Sequence, residues 1–189
     1  HSATKYLGGH GNITAGALCG NDDEIMKEAI EYRKYTGHML SPDDAYRLNT
    51  QMQSFSLRFQ RQCDNALEIA RLLKDSDTVD DVYYPGLESH HTHPLAKDLF
   101  QGGGYGAIVT FSFSGKSDDE KRKRRDAFIS AASEHIRLVP TLGDSHTILM
   151  PVEPVWGYKY PEPGMIRLSV GYEETETLLG RIKECLDHD

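Results

Sequence analysis

The sequence predicts an α/β protein, and three observations support this. From residue 78 onward, short apolar stretches typical of strands alternate with stretches of helical periodicity, as in α/β layer structures. A long stretch of helical character without proline or glycine begins after Ser41-Pro42 and suits a helix that links two domains. The 189 residues, 38% hydrophobic and 26% charged, can bury a sizeable core in one domain or two small ones.

Two helices are predicted before residue 78. The acidic residues 21–24 precede an apolar periodic stretch, and carboxylates stabilise the positive end of a helix, so the first helix begins here and ends at Gly37. Ser41-Pro42 combines a capping residue with proline at the first helical position. Because the next proline or glycine is Pro85, we expect one uninterrupted helix to about Leu73.

A domain boundary is predicted inside this long helix, near Gln62, so that residues 1–62 form one unit and residues 63–189 a second, α/β unit. In the second unit, strands are expected at residues 78–84, 106–113, 136–139, 147–152 and 166–170. Helices are expected at residues 94–100, 118–134 and 173–186. The proline-rich residues 151–163 predict an irregular segment, and loops of that length are usually functional or mobile.

Composition excludes several classes of function. Because the formal charge is −8, we do not expect the chain to bind nucleic acid. No apolar run approaches the roughly 20 residues needed to span a bilayer, and the first residues lack a signal-peptide pattern. The three cysteines, Cys19, Cys63 and Cys185, lack metal-like spacing and suit reduced thiols, so we expect a cytoplasmic protein without a structural metal.

The first eleven residues place one lysine between small hydroxyl residues and a glycine turn. A lysine amine that a desolvated or cationic site keeps unprotonated condenses with aldehydes, and pyridoxal phosphate (PLP) supplies such an aldehyde. In an extended segment Ser2 and Thr4 share one face, so their hydroxyls could contact a phosphate while Lys5 reaches the cofactor ring. A solvated lysine in a hydroxyl-rich loop is the alternative.

The string His-Ser-Ala-Thr-Lys-Tyr-Leu-Gly-Gly-His-Gly at residues 1–11 resembles the lysine segment of the PLP enzymes of cysteine and methionine metabolism. Residues 165–173 resemble the closing strand of that family, whose arginine receives the substrate α-carboxylate. Further motifs follow in the order of the family, namely Ser41-Pro42, Cys63-Asp64-Asn65-Ala66, residues 82–87 and Leu142-Gly143-Asp144.

The resemblance to this trans-sulfuration family implies that the chain is the C-terminal part of a fold-type I PLP-dependent transferase. Residues 1–62 would be the remnant of the large cofactor domain, with the cofactor lysine and the linking helix, and residues 63–189 the small C-terminal α/β domain. Because the family lysine lies near mid-chain, the N-terminal half is expected to be absent and the fragment alone inactive. Family members are usually homotetramers, and the chain is most similar in its motifs to methionine γ-lyases and O-acetylhomoserine sulfhydrylases.

The resemblance implies a carbon–sulfur lyase or sulfur-transfer enzyme that acts on methionine, cystathionine, homocysteine or O-acylhomoserine by γ- or β-elimination or replacement. Lys5 would form the Schiff base and move protons, Ser2 and Thr4 would bind the cofactor, and Arg167 and Thr141 would bind the substrate carboxylate. By itself, Arg167 in an apolar strand could equally form a structural ion pair. A non-catalytic remnant or oligomerisation module, and an unrelated α/β binding domain, remain as alternatives.

Three further motifs favour structural interpretations, and two segments depart from the family pattern. His90, His91 and His93 could bind zinc, but a solvated loop is favoured. The basic residues 121–125 are flanked by acids and predict local ion pairs, and the glycines of residues 102–106 predict a turn. The departures are residues 49–54, and residues 152–157 at the substrate mouth, where relatives carry Ala-Ser-x-Thr-His.

Overall fold

A computed structural model describes residues 1–157, 159–160 and 162–188. It divides the chain into two compact units, His1–Ser56 and Leu57–Asp189, referred to below as unit 1 and unit 2. The junction falls inside a helix, a few residues before the boundary predicted near Gln62. Among the described residues, no helix combines the length and the apolar character required to cross a membrane.

Unit 1 contains helices whose ends are set by local caps. Helix α1, Asp23–Thr36, begins where Asp22 Oδ1 accepts hydrogen bonds from the N–H groups of Glu24 and Ile25, each at 3.0 Å. It ends at Gly37, whose φ of 73° closes the helix in the left-handed region. Helix α2, Pro42–Met52, begins where Ser41 Oγ accepts from the N–H of Asp44 at 3.1 Å. Both predicted helix starts are therefore confirmed.

The prediction of one uninterrupted helix to Leu73 is wrong, because the chain breaks after Met52 and resumes as α3, Phe55–Lys74. At the break, the N–H groups of Gln53 and Ser54 donate to the carbonyls of Thr50 and Gln51, three residues back, each at 3.3 Å. The Ser54 hydroxyl also donates to the Gln51 carbonyl at 3.2 Å. A serine side chain that competes for a helix carbonyl can end a helix without proline or glycine.

Unit 2 is built on a five-stranded sheet of order β1-β2-β5-β4-β3. The strands are β1 Val79–Tyr83, β2 Ile108–Phe113, β3 Arg137–Leu138, β4 Ile148–Pro151 and β5 Met165–Ser169. Neighbouring strands are antiparallel except β3 and β4, which are parallel. All five predicted strands are confirmed. Strands β1 to β4 are shorter than predicted, and β5 has the predicted length but begins one residue earlier.

Helices α4 His93–Phe100, α5 Asp118–Ala132 and α7 Thr175–Leu186 confirm the remaining predicted helices. The proline-rich stretch differs from its prediction, since it contains a single helical turn, α6 Glu153–Trp156, with Pro154 in its first turn. Two residues of that stretch, Tyr158 and Pro161, lie outside the described residues.

The core of unit 2 lies between the sheet and its helices. Phe111 of β2 makes edge-to-face ring contacts with Phe113 and with Phe128 of α5, at centroid distances of 5.3 and 5.6 Å. Ile166 and Leu168 of β5 are fully buried. The middle strand of the sheet, β5, therefore lies in the core of unit 2.

Candidate functional site

The segment that carries Lys5 is helical, which corrects the prediction of an extended strand with Ser2 and Thr4 on one face. Residues Ala3–Leu7 form a short π-helix that is kinked at Lys5, with φ −86° and ψ −124°. The N–H of Gly8 donates to the carbonyl of Ala3 at 2.8 Å, five residues back. This wide turn rotates the side chains away from the alternation expected of a strand, and the extended backbone is kept at Ser2.

The hydroxyl of Thr4 holds this segment to the chain that follows the glycine turn. Thr4 Oγ1 accepts from the N–H of Ala15 at 2.9 Å and donates to its carbonyl at 3.3 Å. The backbone N–H of Thr4 donates to the same carbonyl at 3.1 Å. Thr4 therefore fixes the backbone next to Lys5, whereas Ser2 is exposed and Lys5 is half-buried.

Gly8 is required where the segment turns, because a Cβ there would lie 2.8 Å from Ile13 Cδ1 and 2.9 Å from the carbonyl oxygen of Ala3. Gly9, which follows with φ 69°, donates its N–H to the carbonyl of Lys5 at 2.6 Å. The backbone around Lys5 is thus held at both ends of its turn. A half-buried lysine on a held backbone, with an exposed serine hydroxyl three residues before it, suits a cofactor that carries an aldehyde and a phosphate.

Arg167 lies at the middle of β5, opposite Thr110 of β2 and Met150 of β4. Its Nη2 donates to the carbonyl oxygen of Thr141 at 2.5 Å. Its guanidinium carbon lies 5.8 Å from the ring centre of Trp156 on α6. The two predicted carboxylate-binding residues are therefore neighbours, and the contact between them uses the backbone of Thr141.

Arg167 opens into a cleft of about 490 Å³ in unit 2. The cleft is lined by Tyr83, Thr110, Val152, Trp156, Tyr160, Glu162, Met165 and Arg167. On this wall the Tyr83 hydroxyl donates to Glu162 Oε2 at 2.9 Å. Burial and this hydrogen bond raise the pKa of Tyr83 to about 12, so the phenol stays protonated at neutral pH.

The loop that carries Thr141 is fixed by buried polar groups that the sequence did not single out. The N–H of Gly143 donates to Ser169 Oγ of β5 at 2.9 Å. Gln62 Nε2 donates to the carbonyls of Asp144 and Val170, at 3.0 and 3.1 Å. Ser169 and Gln62 therefore place the loop beside β5. The sequence signal was a polar residue in an apolar strand and a glutamine on a buried helix face.

Asp144 ends this loop with a charge that the surroundings stabilise. Burial alone would raise its pKa, but hydrogen bonds from Ser145 and the charge of Arg137 hold the pKa of Asp144 below its ordinary value. Arg137 Nη2 lies 3.2 Å from Asp144 Oδ2. The carboxylate thus stays ionised and keeps the turn after Gly143 in place.

The other motifs have structural contacts. Within α5, Arg122 pairs with Asp119 at 3.1 Å, Arg124 with Glu120 at 3.4 Å and Arg125 with Asp126 at 2.8 Å, so the prediction of local ion pairs for the basic run is confirmed. The run also pairs with two acids outside α5. Lys121 reaches Asp80 at 2.8 Å, and Arg122 and Arg125 reach Glu153 at 2.7 and 3.1 Å. The glycine turn is also confirmed, with positive φ at Gly102, Gly104 and Gly106.

The histidine patch makes local contacts. His90 Nδ1 lies 2.9 Å from the Thr92 hydroxyl, and His93 Nδ1 lies 2.8 Å from the Pro85 carbonyl. His91 is exposed and its ring lies against that of His90. Within residues 1–157, 159–160 and 162–188, no group of three or more His, Cys, Asp or Glu side chains is placed to hold a metal ion.

Comparison with known proteins decides the family. The model of the family described as "Cys/Met metabolism PLP-dependent enzyme" matches residues 1–187 of the chain. This range includes both Lys5 and Arg167. The chain belongs to this family. The resemblance drawn from the motifs at residues 1–11 and 165–173 is therefore confirmed.

Several family members are similar to this chain over its whole length. An L-methionine gamma-lyase of Porphyromonas gingivalis is 32% identical over 99% of the chain and 47% of its own length. A cystathionine beta-lyase of Lactococcus lactis is 33% identical over 99% of the chain and 49% of its own length. The crystal structure of cystathionine gamma synthase from Xanthomonas oryzae superposes with a TM-score of 0.86 at 27% identity, over 98% of the chain and 48% of that structure.

The chain spans about half the length of the relatives that it matches. Its mixed α/β structure is the C-terminal part of a fold-type I PLP enzyme, as the motifs predicted. Members of the family are PLP-dependent enzymes that include lyases and synthases of sulfur amino acids.

Proposed function

We propose that this chain supplies the cofactor lysine and the carboxylate-binding arginine of a PLP-dependent carbon–sulfur lyase or sulfur transferase. The observation that carries the proposal is the family match over residues 1–187, because it includes both Lys5 and Arg167. The held backbone at Lys5 and the cleft beside Arg167 support it. The domain assignment proposed with it is residues 1–62 as the end of the cofactor domain and residues 63–189 as the small domain.

The residues near Lys5 suit the cofactor in different ways. Lys5 would hold pyridoxal phosphate, and the exposed hydroxyl of Ser2 is available to its phosphate. Thr4 contributes by fixing the backbone, since its hydroxyl contacts both polar groups of Ala15. Bound pyridoxal phosphate supplies an electron sink for the substrate α-carbon.

In the proposed reaction the side chains of this chain bind the substrate and move its protons. Arg167 binds the α-carboxylate, with Thr141 beside it, and so orients the α-carbon. The Lys5 amine, once displaced by the substrate amine, takes protons in turn from the α-carbon and the β-carbon, and releases the first before it takes the second. The electron pair left at the β-carbon allows a sulfur or oxygen group on the γ-carbon to leave with the electrons of its own bond to that carbon. The group is then either replaced or an unsaturated product remains.

The names of the relatives support a substrate class of sulfur amino acids, and the resemblance of the motifs to O-acetylhomoserine sulfhydrylases adds the O-acyl analogues. The relatives include lyases of methionine, cystathionine and canavanine, and a cystathionine synthase. Elimination and replacement share the same early proton transfers, so we include both lyase and transferase activity. The proposed substrates are methionine, cystathionine, homocysteine and O-acylhomoserines.

We also propose a homotetramer that acts in the cytoplasm. Large exposed apolar side chains in unit 1, such as those of Ile25, Ile30 and Tyr35, support assembly with further protein surface. The three free thiols, those of Cys19, Cys63 and Cys185, support a reducing compartment. The same exposed side chains favour one alternative, a non-catalytic oligomerisation module of this family.

The test is the visible absorbance of the longest form of the protein that contains this chain, incubated with pyridoxal phosphate. We expect a band that Lys5→Ala abolishes and that Lys27→Ala, which alters an exposed lysine on α1, leaves intact. Reduction with borohydride should then add the mass of the cofactor to the peptide that contains Lys5 in the parent protein. The corresponding peptide of the Lys5→Ala variant should gain no mass. The absence of a band in a folded parent protein would favour the oligomerisation module.

A further inference from the structure

The single tryptophan of the chain lies against the arginine of the cleft. Trp156 is half-buried at the end of α6, and the Arg167 guanidinium carbon lies 5.8 Å from its ring centre. A cation within about 6 Å of an indole face is attracted by the ring quadrupole. Trp156 lies within residues 152–157, one of the two segments whose sequence departs from the expected family pattern.

Helix α6 is anchored so that it holds Trp156 in place. The carboxylate of Glu153 accepts from Arg122 at 2.7 Å and from Arg125 at 3.1 Å, which ties the start of α6 to α5. The N–H of Val152 donates to the carbonyl of Met165 at 3.0 Å, which ties it to β5. Anchors on two different elements give this single helical turn a fixed position beside the middle strand.

We propose that Trp156 is a positioning residue that presents the Arg167 guanidinium to the carboxylate of an amino-acid substrate. Bidentate binding of a carboxylate requires a guanidinium whose plane is set, because both N–H···O bonds lie in that plane. The Thr141 carbonyl holds Nη2 within the plane and the Trp156 ring packs against the cation. This inference rests on the proposed role of Arg167.

The cleft also indicates what accompanies the carboxylate. The side chains of Val152, Trp156 and Met165 give it an apolar wall next to Arg167. A ligand with a carboxylate at one end and an unbranched apolar or thioether chain at the other fits this surface. The indole therefore has two effects, orientation of the guanidinium and apolar contact with the ligand chain.

The binding test uses simple probes, so it needs neither turnover nor the cofactor. Sodium hexanoate carries the carboxylate and the apolar chain, and pentylamine carries a similar chain without the carboxylate. On the longest form of the protein that contains this chain, the fluorescence difference between parent and Trp156→Phe isolates the signal of Trp156. We expect hexanoate to change that signal in a saturable way and pentylamine to leave it unchanged.

Variants separate orientation from mere packing. Trp156→Leu keeps an apolar side chain without a π face, and by calorimetry we expect it to weaken hexanoate binding by about tenfold. Trp156→Phe keeps a π face and should restore affinity to within about threefold of the parent. Val155→Ala, on the exposed side of α6, is the matched control and should bind as the parent does.

In turnover of methionine, the Trp156→Leu substitution should raise KM more than it lowers kcat. Equal hexanoate affinity in the parent and in Trp156→Leu would overturn the inference, as would equal losses in the Leu and Phe variants. Failure of the proposed function looks different. If Arg167→Met binds hexanoate as tightly as the parent, then Arg167 itself is not the carboxylate site.

Discussion

The two units of this chain bury their apolar side chains to very different extents. In unit 1, all of whose residues the structure describes, helices α1 and α2 contain no buried residue, and the buried apolar side chains are those of Ala3, Ile13 and Ala15. In unit 2 every residue of β4 except Pro151 is buried, and β5 is buried except at Arg167. Unit 2 therefore has its own core, while unit 1 exposes much of its apolar surface.

The comparison teaches where each unit obtains its stability. Exposed large apolar side chains of unit 1 are Leu18, Ile25, Ile30, Tyr32, Tyr35, Met39, Leu40, Tyr46 and Met52. Large exposed apolar side chains of this number favour contact with further protein. The unit that carries Lys5 thus buries little of its own apolar surface, whereas the unit that carries Arg167 has a core of its own.

The largest expected effect comes from matched truncations in the two units. Ile166→Ala removes a side chain with no exposed surface, and we expect the free energy of unfolding to fall by about 3 kcal/mol. Ile30→Ala alters a residue that is 52% exposed and should cost less than about 0.5 kcal/mol. Urea denaturation followed by circular dichroism measures both. Equal losses would show that unit 1 is packed as tightly as unit 2.

A second, smaller effect sharpens the comparison by testing polar anchors in unit 2. Asn65 donates to the carbonyls of Gly171 and Glu173, at 3.2 and 2.9 Å, and accepts from the Thr175 hydroxyl at 2.8 Å. Asn65→Ala leaves the two carbonyls and the hydroxyl without this partner. We expect it to lower the free energy of unfolding, measured by urea denaturation, by about 1–3 kcal/mol. The control is Gln60→Ala on the exposed face of the same helix. If the two variants lower the free energy of unfolding equally, the buried amide of Asn65 stabilises unit 2 no more than the exposed amide of Gln60 does.

The smallest effect depends on pH and concerns the anchor of α6. Hydrogen bonds from Arg122 are the largest of the effects that hold the pKa of Glu153 below its ordinary value of 4.5, and burial acts in the opposite direction. Because the folded-state pKa is depressed, the stabilisation is present above pH 4.5 and is lost as the pH falls through the folded-state value. Glu153→Gln should therefore unfold more easily than the parent at neutral pH and match it in acid.

Thermal unfolding over that pH range measures the effect, which should stay within about 1 kcal/mol because partly exposed ion pairs contribute little. Glu134→Gln, which removes a charge at an exposed position beyond α5, is the control. A Glu153→Gln penalty that is constant with pH would assign the effect to packing of α6 and not to its ion pairs.

Features that depend on neighbours in the sequence were predictable from the sequence. The starts of α1 and α2 follow from Asp22 and Ser41, whose side chains cap N–H groups two or three residues ahead. The strands follow from short apolar runs between turn residues. The family follows from residues 1–11 and 165–173, because those motifs preserve residue types at fixed spacing.

What only the tertiary structure decided involves groups that are far apart in sequence or bonds that compete locally. The Thr4 hydroxyl bonds to the backbone of Ala15, whereas the sequence predicted that it faces the same side as Ser2. Arg167 contacts the backbone of Thr141, 26 residues away, and the ring of Trp156. At the break before α3, the Ser54 hydroxyl donates to the Gln51 carbonyl, a local bond that competes with the helix ladder. Residue type sets which bonds a side chain can form, but only packing decides which of the available partners comes within reach.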